Sequence, residues 1–355
     1  MTDNPKQSLW APFWAIVAAR FLEYIRRPES IFWVYVFPLL MVVILGIAFR
    51  NRPVESVFVD VAAGPGSERI ETVLSLAPNV KFTVYQLKEC QSRLRTGKSD
   101  LYVTADGESP TTIHYFFDPT RPGCLATKAA IDNHFQRAAG RIDPIASVEH
   151  AMEEQGGRYI DFLVPGLLGM GLLGGGLWGV GFAIVDMRIR KLLKRFMATP
   201  MRKRDFLLGM MTSRLFFMIP EIVILVVFSR LLFDVQVNGS YMAIFVLVLL
   251  GSFVFSGIGL LVASRARTIE TVVGLMNLVM LPMWTLSGIF FSTENFPAVV
   301  QPVIKALPLT ALNDALRAVI NEGASLTTQL PELAILLAWG VGSLFLALKF
   351  FRWSD

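Results

Sequence analysis

The sequence predicts an α-helical, polytopic membrane protein with six transmembrane helices, N-in and C-in, and an α+β extracytoplasmic domain inserted after the first helix. Three observations point there. Of the 355 residues 54% are hydrophobic and only 17% are charged, with a mean hydropathy of +0.53; soluble domains lie nearer about 45–50% apolar and about 25% charged. Six apolar runs are long enough to cross a bilayer. Lys and Arg gather at alternate loop ends. The pI near 9.3 does not indicate nucleic acid. The basic residues sit beside apolar runs, with no aromatic-interleaved basic surface and no nucleic-acid motif.

The spans are expected at Ile31–Phe49, Ile160–Val185, Phe206–Leu232, Tyr241–Ala263, Thr271–Phe291 and Ala334–Phe350. Each is close to the ~20 residues that cross about 30 Å of hydrocarbon as helix. Helix is required because no water is present there to satisfy open backbone groups. Orientation follows from the positive charges near short loops. Segment 1–30 carries Lys6, Arg20, Arg26 and Arg27, the loop 186–205 carries eight Lys and Arg, and Arg265, Arg267 and Arg352 mark the remaining inner ends. The loop 233–240 has none, so both termini are expected in the cytoplasm.

Residues 1–30 form the cytoplasmic N-terminus. Within 8–27, Trp10, Phe13, Trp14, Val17, Phe21 and Tyr24 recur at helical spacing, which suits a helix lying in the membrane interface. The short basic start and Ala18-Ala19 also imitate a secretion signal, but Pro12 breaks its apolar region and Arg20 follows at once. Residues 31–49 are the first span. Residues 50–159 are the sizeable water-soluble piece: alternating VFVDV, KFTVY, DLYVT and TIHYF read as strands, and the segments between and after them as helices. Residues 160–351 hold spans two to six, with a short cytoplasmic tail at 352–355. In the outer segment 292–325, apolar pieces bounded by Pro297, Pro302 and Pro308 are too short to cross and read as re-entrant or interfacial helices. Asp314 and Arg317, three residues apart, suit a local ion pair.

Catalytic chemistry is absent from the pattern. Gly97-Lys98-Ser99 imitates a phosphate loop, but position 92 is serine where the motif needs glycine. His114, His134 and His150 lack metal-ligand spacing, and no metal site is expected. Cys90 and Cys124 both lie in the outer domain, where they either pair as a disulfide or remain two buried thiols. In the second span Gly171, Gly175 and Gly179 repeat every four residues on one face, as expected for close helix packing, or alternatively for a flexible span. Glu221, near the middle of the third span, and Asn277, in the fifth, are the candidate pathway residues, because polar groups in hydrocarbon usually face protein or water. Glu221 alternatively pairs with Arg214, two turns away.

The stretch RKLLKRFMATPMRKRDFLLG, from Arg190, packs seven Lys and Arg against one acid. Positive-inside topology explains the sign of that charge but not the order of the residues. Four segments together carry a resemblance. IRRPESIFWVYVFPLLMVVILGIAF, that basic stretch, LSGIFFSTENFP and LPLTALNDALRAVI occur in the order found in the permease subunits of ABC-2-type exporters, which the chain resembles over nearly its whole length. Ser292 departs from the proline usual after the Phe pair. The resemblance implies a bacterial cytoplasmic-membrane protein that works as a homodimer or beside a sister permease. It implies two separate ATPase subunits holding ATP and Mg, no cofactor in this chain, and outward movement of a hydrophobic or amphipathic substrate. It also implies that loop 186–205 couples to the ATPase, through Arg190, Lys191, Leu193, Lys194, Arg195, Phe196, Thr199, Pro200 and Asp205. Plain anchoring of the loop to anionic lipid is the competing reading. A non-transporting receptor or assembly scaffold, whose outer domain binds a ligand or partner, is the alternative for the whole chain, and a channel is a third.

Overall fold

The computed structural model describes residues 11–50, 57–77, 79–106, 112–121, 123–142, 157–197 and 203–350. The chain divides into two compact units, Met1–Arg50 with Glu153–Asp355, and Asn51–Met152.

The first unit begins with helix α1, Ala11–Ile25, followed by span 1, Pro28–Phe49. Pro28 separates them: proline disfavours helix in the residue before it, and Arg27 leaves the helical region at φ −112° and ψ 89°. Span 1 contains a wide, π-type turn at Phe32–Val36.

The second unit is the α+β insert. Its elements run β1 (Val57–Ala62), α2 (Ser67–Ser75), β2 (Val80–Tyr85), α3 (Leu87–Thr96), β3 (Leu101–Ala105), β4 (Ile113–Phe117) and α4 (Cys124–Ala138). The sheet order is β2-β1-β3-β4, with β1 parallel to β2 and β3, and β4 antiparallel to β3. Residues alternate across the pleat. Val59, Val61, Leu101 and Val103 meet Ile70, Leu74, Ile131 and Phe135, from α2 and α4. Asp60, Ala62 and Tyr102 face the other way, where Arg93 of α3 reaches Asp60 at 2.9 Å. Gly97 ends α3 in the left-handed region at φ +77°, a position glycine occupies without strain. The phosphate-loop imitation is therefore a helix stop.

The first unit resumes with spans 2 to 6: Tyr159–Ile189, Gly209–Phe233, Tyr241–Ala263, Ile269–Leu286 and Leu330–Phe350. Helix α5, Leu192–Met197, lies between spans 2 and 3; α6, Gln301–Ala306, and α7, Pro308–Glu322, lie between spans 5 and 6. Spans 2 and 4 are the centre, with 72% and 67% of their most apolar windows buried, against 22% or less in the other four. Lipid is as apolar as leucine, so helices associate in it through close packing. Here glycine supplies that packing. A Cβ on Gly181 would stand 2.6 Å from the carbonyl oxygen of Gly259, and one on Gly176 would overlap the backbone of Phe255. Span 5 stops at Leu286, five residues before its expected end, because the chain turns at Gly288 with φ +67°. Amphipathic α7 buries Leu309, Leu312, Leu316 and Val319.

Candidate functional site

At the end of the membrane unit that carries the basic loop, span 2 closes with Arg188. Its guanidinium donates to the carbonyls of Ala263 and Ala266, at 2.9 and 2.6 Å, and so ties span 2 to the end of span 4. Arg190 pairs with Asp186 at 2.9 Å. Lys191 then takes φ +58°, and this left-handed residue turns the chain into α5. Lys194 and Arg195 of α5 are exposed, while Leu193 is 1% exposed in the chain's own core. Leu193 is thus unavailable as an exposed anchor for a partner. Thr199 and Pro200 lie outside the described residues, as do the side chains of Phe196 and Asp205.

The expected Glu221–Arg214 pair is present. Seven residues apart, the two fall on one face of span 3, and Arg214 Nη2 lies 3.0 Å from Glu221 Oε2, with side chains 5% and 10% exposed. The glycine stripe of span 2 faces them. A Cβ on Gly171 would overlap the Glu221 carboxylate, one on Gly175 would overlap the Arg214 guanidinium, and one on Gly179 would stand 3.3 Å from Arg214 Cδ. The stripe therefore receives charged side chains, whereas Gly176, Gly181 and Gly259 carry the close backbone approach. Arg214 Nη2 also reaches the Gly171 carbonyl at 3.4 Å, but its Nε has no partner. A pair this deep offsets its desolvation only while both charges stay together.

Two further elements converge on the pair. Arg20 of α1 donates to the Gly179 carbonyl at 2.9 Å, within the π-type turn Leu177–Phe182 of span 2, and is itself held by Glu23 at 2.6 Å. Tyr35, in the π-type turn of span 1, donates to the Phe217 carbonyl at 3.0 Å, and Tyr24 stacks on the Phe217 ring at 4.0 Å. Helix α1 and spans 1, 2 and 3 thus meet within one turn of the ion pair. From sequence, Arg20 reads as a topology charge and Tyr24 as part of the aromatic face of the first helix, while Tyr35 and Phe217 carry no signal. Partners so distant in the chain leave no local pattern. The hub holds no nucleophile and no acid–base pair poised on a substrate; its chemistry is to keep four helices in register.

Asn277 lies elsewhere, on the exposed face of span 5 beside Leu278 and Leu281, which are 70% and 55% exposed. In the insert, Cys90 packs against Tyr102, and Cys124 opens α4. Both are buried free thiols, and burial pushes both pKa values up. Among the described residues no three His, Cys, Asp or Glu side chains cluster as metal ligands. At the end of the membrane unit opposite the basic loop, Arg317 of α7 lies 3.7 Å over the Phe162 ring and reaches the carbonyls of Phe162 and Gly288. Its expected partner Asp314 is 3.6 Å away.

Comparison with known proteins agrees with this architecture. The family described as "ABC-2 family transporter protein" matches residues 28–349. "ABC transporter G family member 20" from Dictyostelium discoideum is 22% identical over 215 residues, 60% of this chain and 30% of its own length. "Inner membrane transport permease YhhJ" from Escherichia coli strain K12 is 29% identical over 128 residues, 36% of this chain and 34% of its own. The chain thus spans about a third of the length of the curated relatives it matches. With its six candidate membrane helices and the insert after the first of them, it belongs to the ABC-2 transporter family as a multi-pass permease.

Proposed function

We propose that this permease exports a hydrophobic or amphipathic substrate across a bacterial cytoplasmic membrane, using ATP hydrolysed with Mg by separate ATPase subunits. The basic loop faces the cytoplasm, as its charge requires under the positive-inside rule. A second permease, identical or a sister chain, completes the transporter.

One observation carries this reading: the basic loop is anchored inward and charged outward. Arg188 grips the carbonyls of Ala263, at the end of span 4, and Ala266, just beyond it, Leu193 sits in the core, and Lys194 and Arg195 are exposed. A partner pressing on α5 would therefore move spans 2 and 4 together. A chain without ATPase chemistry needs such a rigid cytoplasmic element to receive motion from one that has it. A loop serving only as a topology signal needs the charge but not the anchoring. Glu221 acts here through packing, and Asn277, polar on an otherwise apolar exposed face, is the better candidate for the substrate path.

The test is co-purification of a candidate ATPase with the permease, followed by ATP turnover in proteoliposomes with and without apolar substrates. Turnover that rises with substrate and falls with an Arg188→Ala variant of normal stability is the expected result. An ATPase that binds but turns over identically with wild type and Arg188→Ala would overturn the coupling role.

A further inference from the structure

We infer that the cavity at the end of the membrane unit opposite the basic loop binds the zwitterionic headgroup of a membrane lipid. The inference rests on the membrane embedding of the chain and not on export.

The cavity is about 720 Å³ and lies between the first turn of span 2, the segment 292–298, α6 and α7. Ligand pockets commonly measure about 300–1,000 Å³. Its wall is held in shape: Gln301 Nε2 donates to the carbonyls of Thr293 and Phe296, at 2.6 and 3.1 Å. Four ionisable side chains line it, the acids Glu294 and Asp314 and the bases Lys305 and Arg317, so the formal lining charge is zero. Among the described residues neither the Glu294 carboxylate nor the Lys305 ammonium has a protein partner within hydrogen-bond distance. Arg317 is fixed by two carbonyls and by the Phe162 ring, and its Nη1 is only loosely held, 3.6 Å from Asp314.

This lining selects by sign. An anion alone would gain Lys305 and Arg317 but would face two carboxylates, and a cation alone would meet the reverse. A molecule carrying both charges satisfies all four groups, and charge-assisted hydrogen bonds are the stronger kind. The surroundings then select a lipid over a small soluble zwitterion. Phe162 is four residues into span 2, so the cavity lies near headgroup depth. Beside it Phe291, Val299 and Val303 are 66%, 88% and 61% exposed. That apolar rim suits acyl chains entering from the bilayer, with the ammonium seated at Glu294 and Asp314 and the phosphate at Lys305 and Arg317.

The experiment uses the full-length permease alone, in vesicles, without ATPase or ATP, so failure of the export reading leaves its outcome intact. The probes are photoreactive phosphatidylethanolamine and photoreactive phosphatidylglycerol with identical chains, and mass spectrometry locates the adducts. The expected result is phosphatidylethanolamine capture on residues 291–317 in clear excess over phosphatidylglycerol. Lys305→Ala and Glu294→Gln, both surface changes, should each lower that capture about fivefold, the scale of one exposed charge interaction, with melting temperature unchanged. Glu294→Lys should shift capture toward phosphatidylglycerol. Equal capture of the two lipids, capture indifferent to all three substitutions, or full competition by soluble phosphoethanolamine would overturn the proposal.

Discussion

The halves of the membrane unit toward its two ends each hold an arginine against aromatic rings, Arg214 buried and Arg317 partly buried, yet they are built in opposite ways. At the basic end Arg214 is shut in, with a carboxylate at 3.0 Å and glycines of span 2 directly against it. At the other end Arg317 is held by carbonyls and a ring, while its carboxylate neighbour Asp314 stands at 3.6 Å with a side chain 46% exposed. A closed pair, walled in by packed helices, is out of a ligand's reach and fixes those helices in register. An open one, with unsatisfied charge facing a cavity, can meet something from outside. Both arise from an Arg and an acid a few residues apart on a helix, so their different uses are set by what packs against them.

The largest effect should come from breaking the closed pair. Removing one partner, by Glu221→Leu or Arg214→Met, leaves an uncompensated buried charge and should cost about 3–5 kcal/mol, seen as loss of folded protein in detergent; the double variant should recover most of it. Glu221→Gln that melts normally but abolishes transport would break the comparison and return Glu221 to the substrate path.

Leu193→Ala should cost about 2–5 kcal/mol in the isolated permease, as other large-to-small core changes do. Replacing Lys194 and Arg195 by glutamine should leave its melting temperature alone while weakening ATPase binding and flattening its salt dependence, as screened charges require. Release of the ATPase by Leu193→Ala without loss of stability would place that leucine at the partner surface.

Gly175→Ala should destabilise by about 1–3 kcal/mol, because the guanidinium has to leave its notch. Gly174→Ala, next along the helix but with open space at its Cβ position, should be neutral or slightly stabilising in the same thermal melt. Equal effects would mean that the notch does not hold Arg214.

The smallest effect belongs to the open end. Lys305→Ala and Glu294→Gln should each move stability by no more than about 0.5 kcal/mol, as surface changes usually do. A drop as large as that at Gly175 would mean the outer charges are structural, and the contrast between the ends would dissolve.

Much of the architecture was legible from residue order. Apolar runs marked all six spans, and alternation marked the strands of the insert, because both signals are local. The early stop of span 5 was not legible: Gly288 is followed by Ile289, Phe290 and Phe291, which continue the apolar run through a turn that only a left-handed glycine betrays. The stripe at Gly171, Gly175 and Gly179 was visible, but its occupant was not, since that depends on which face of span 3 turns toward it. The family resemblance placed Leu193 among the coupling residues, and its burial by distant helices leaves no mark in a six-residue stretch. Tyr24 was visible as an aromatic of the first helix, but its stacking on Phe217 and the hydrogen bond of Tyr35 were not, for the same reason.

Glycine contact between spans 2 and 4 also limits how the protein can change shape. Where backbones touch, there is no side-chain cushion to deform, so neither helix can turn about its own axis without a steric collision. The pair should therefore behave as one axle, and conformational change falls to the four outer helices swinging around it, with α5 placed to convey torque to the axle from one side.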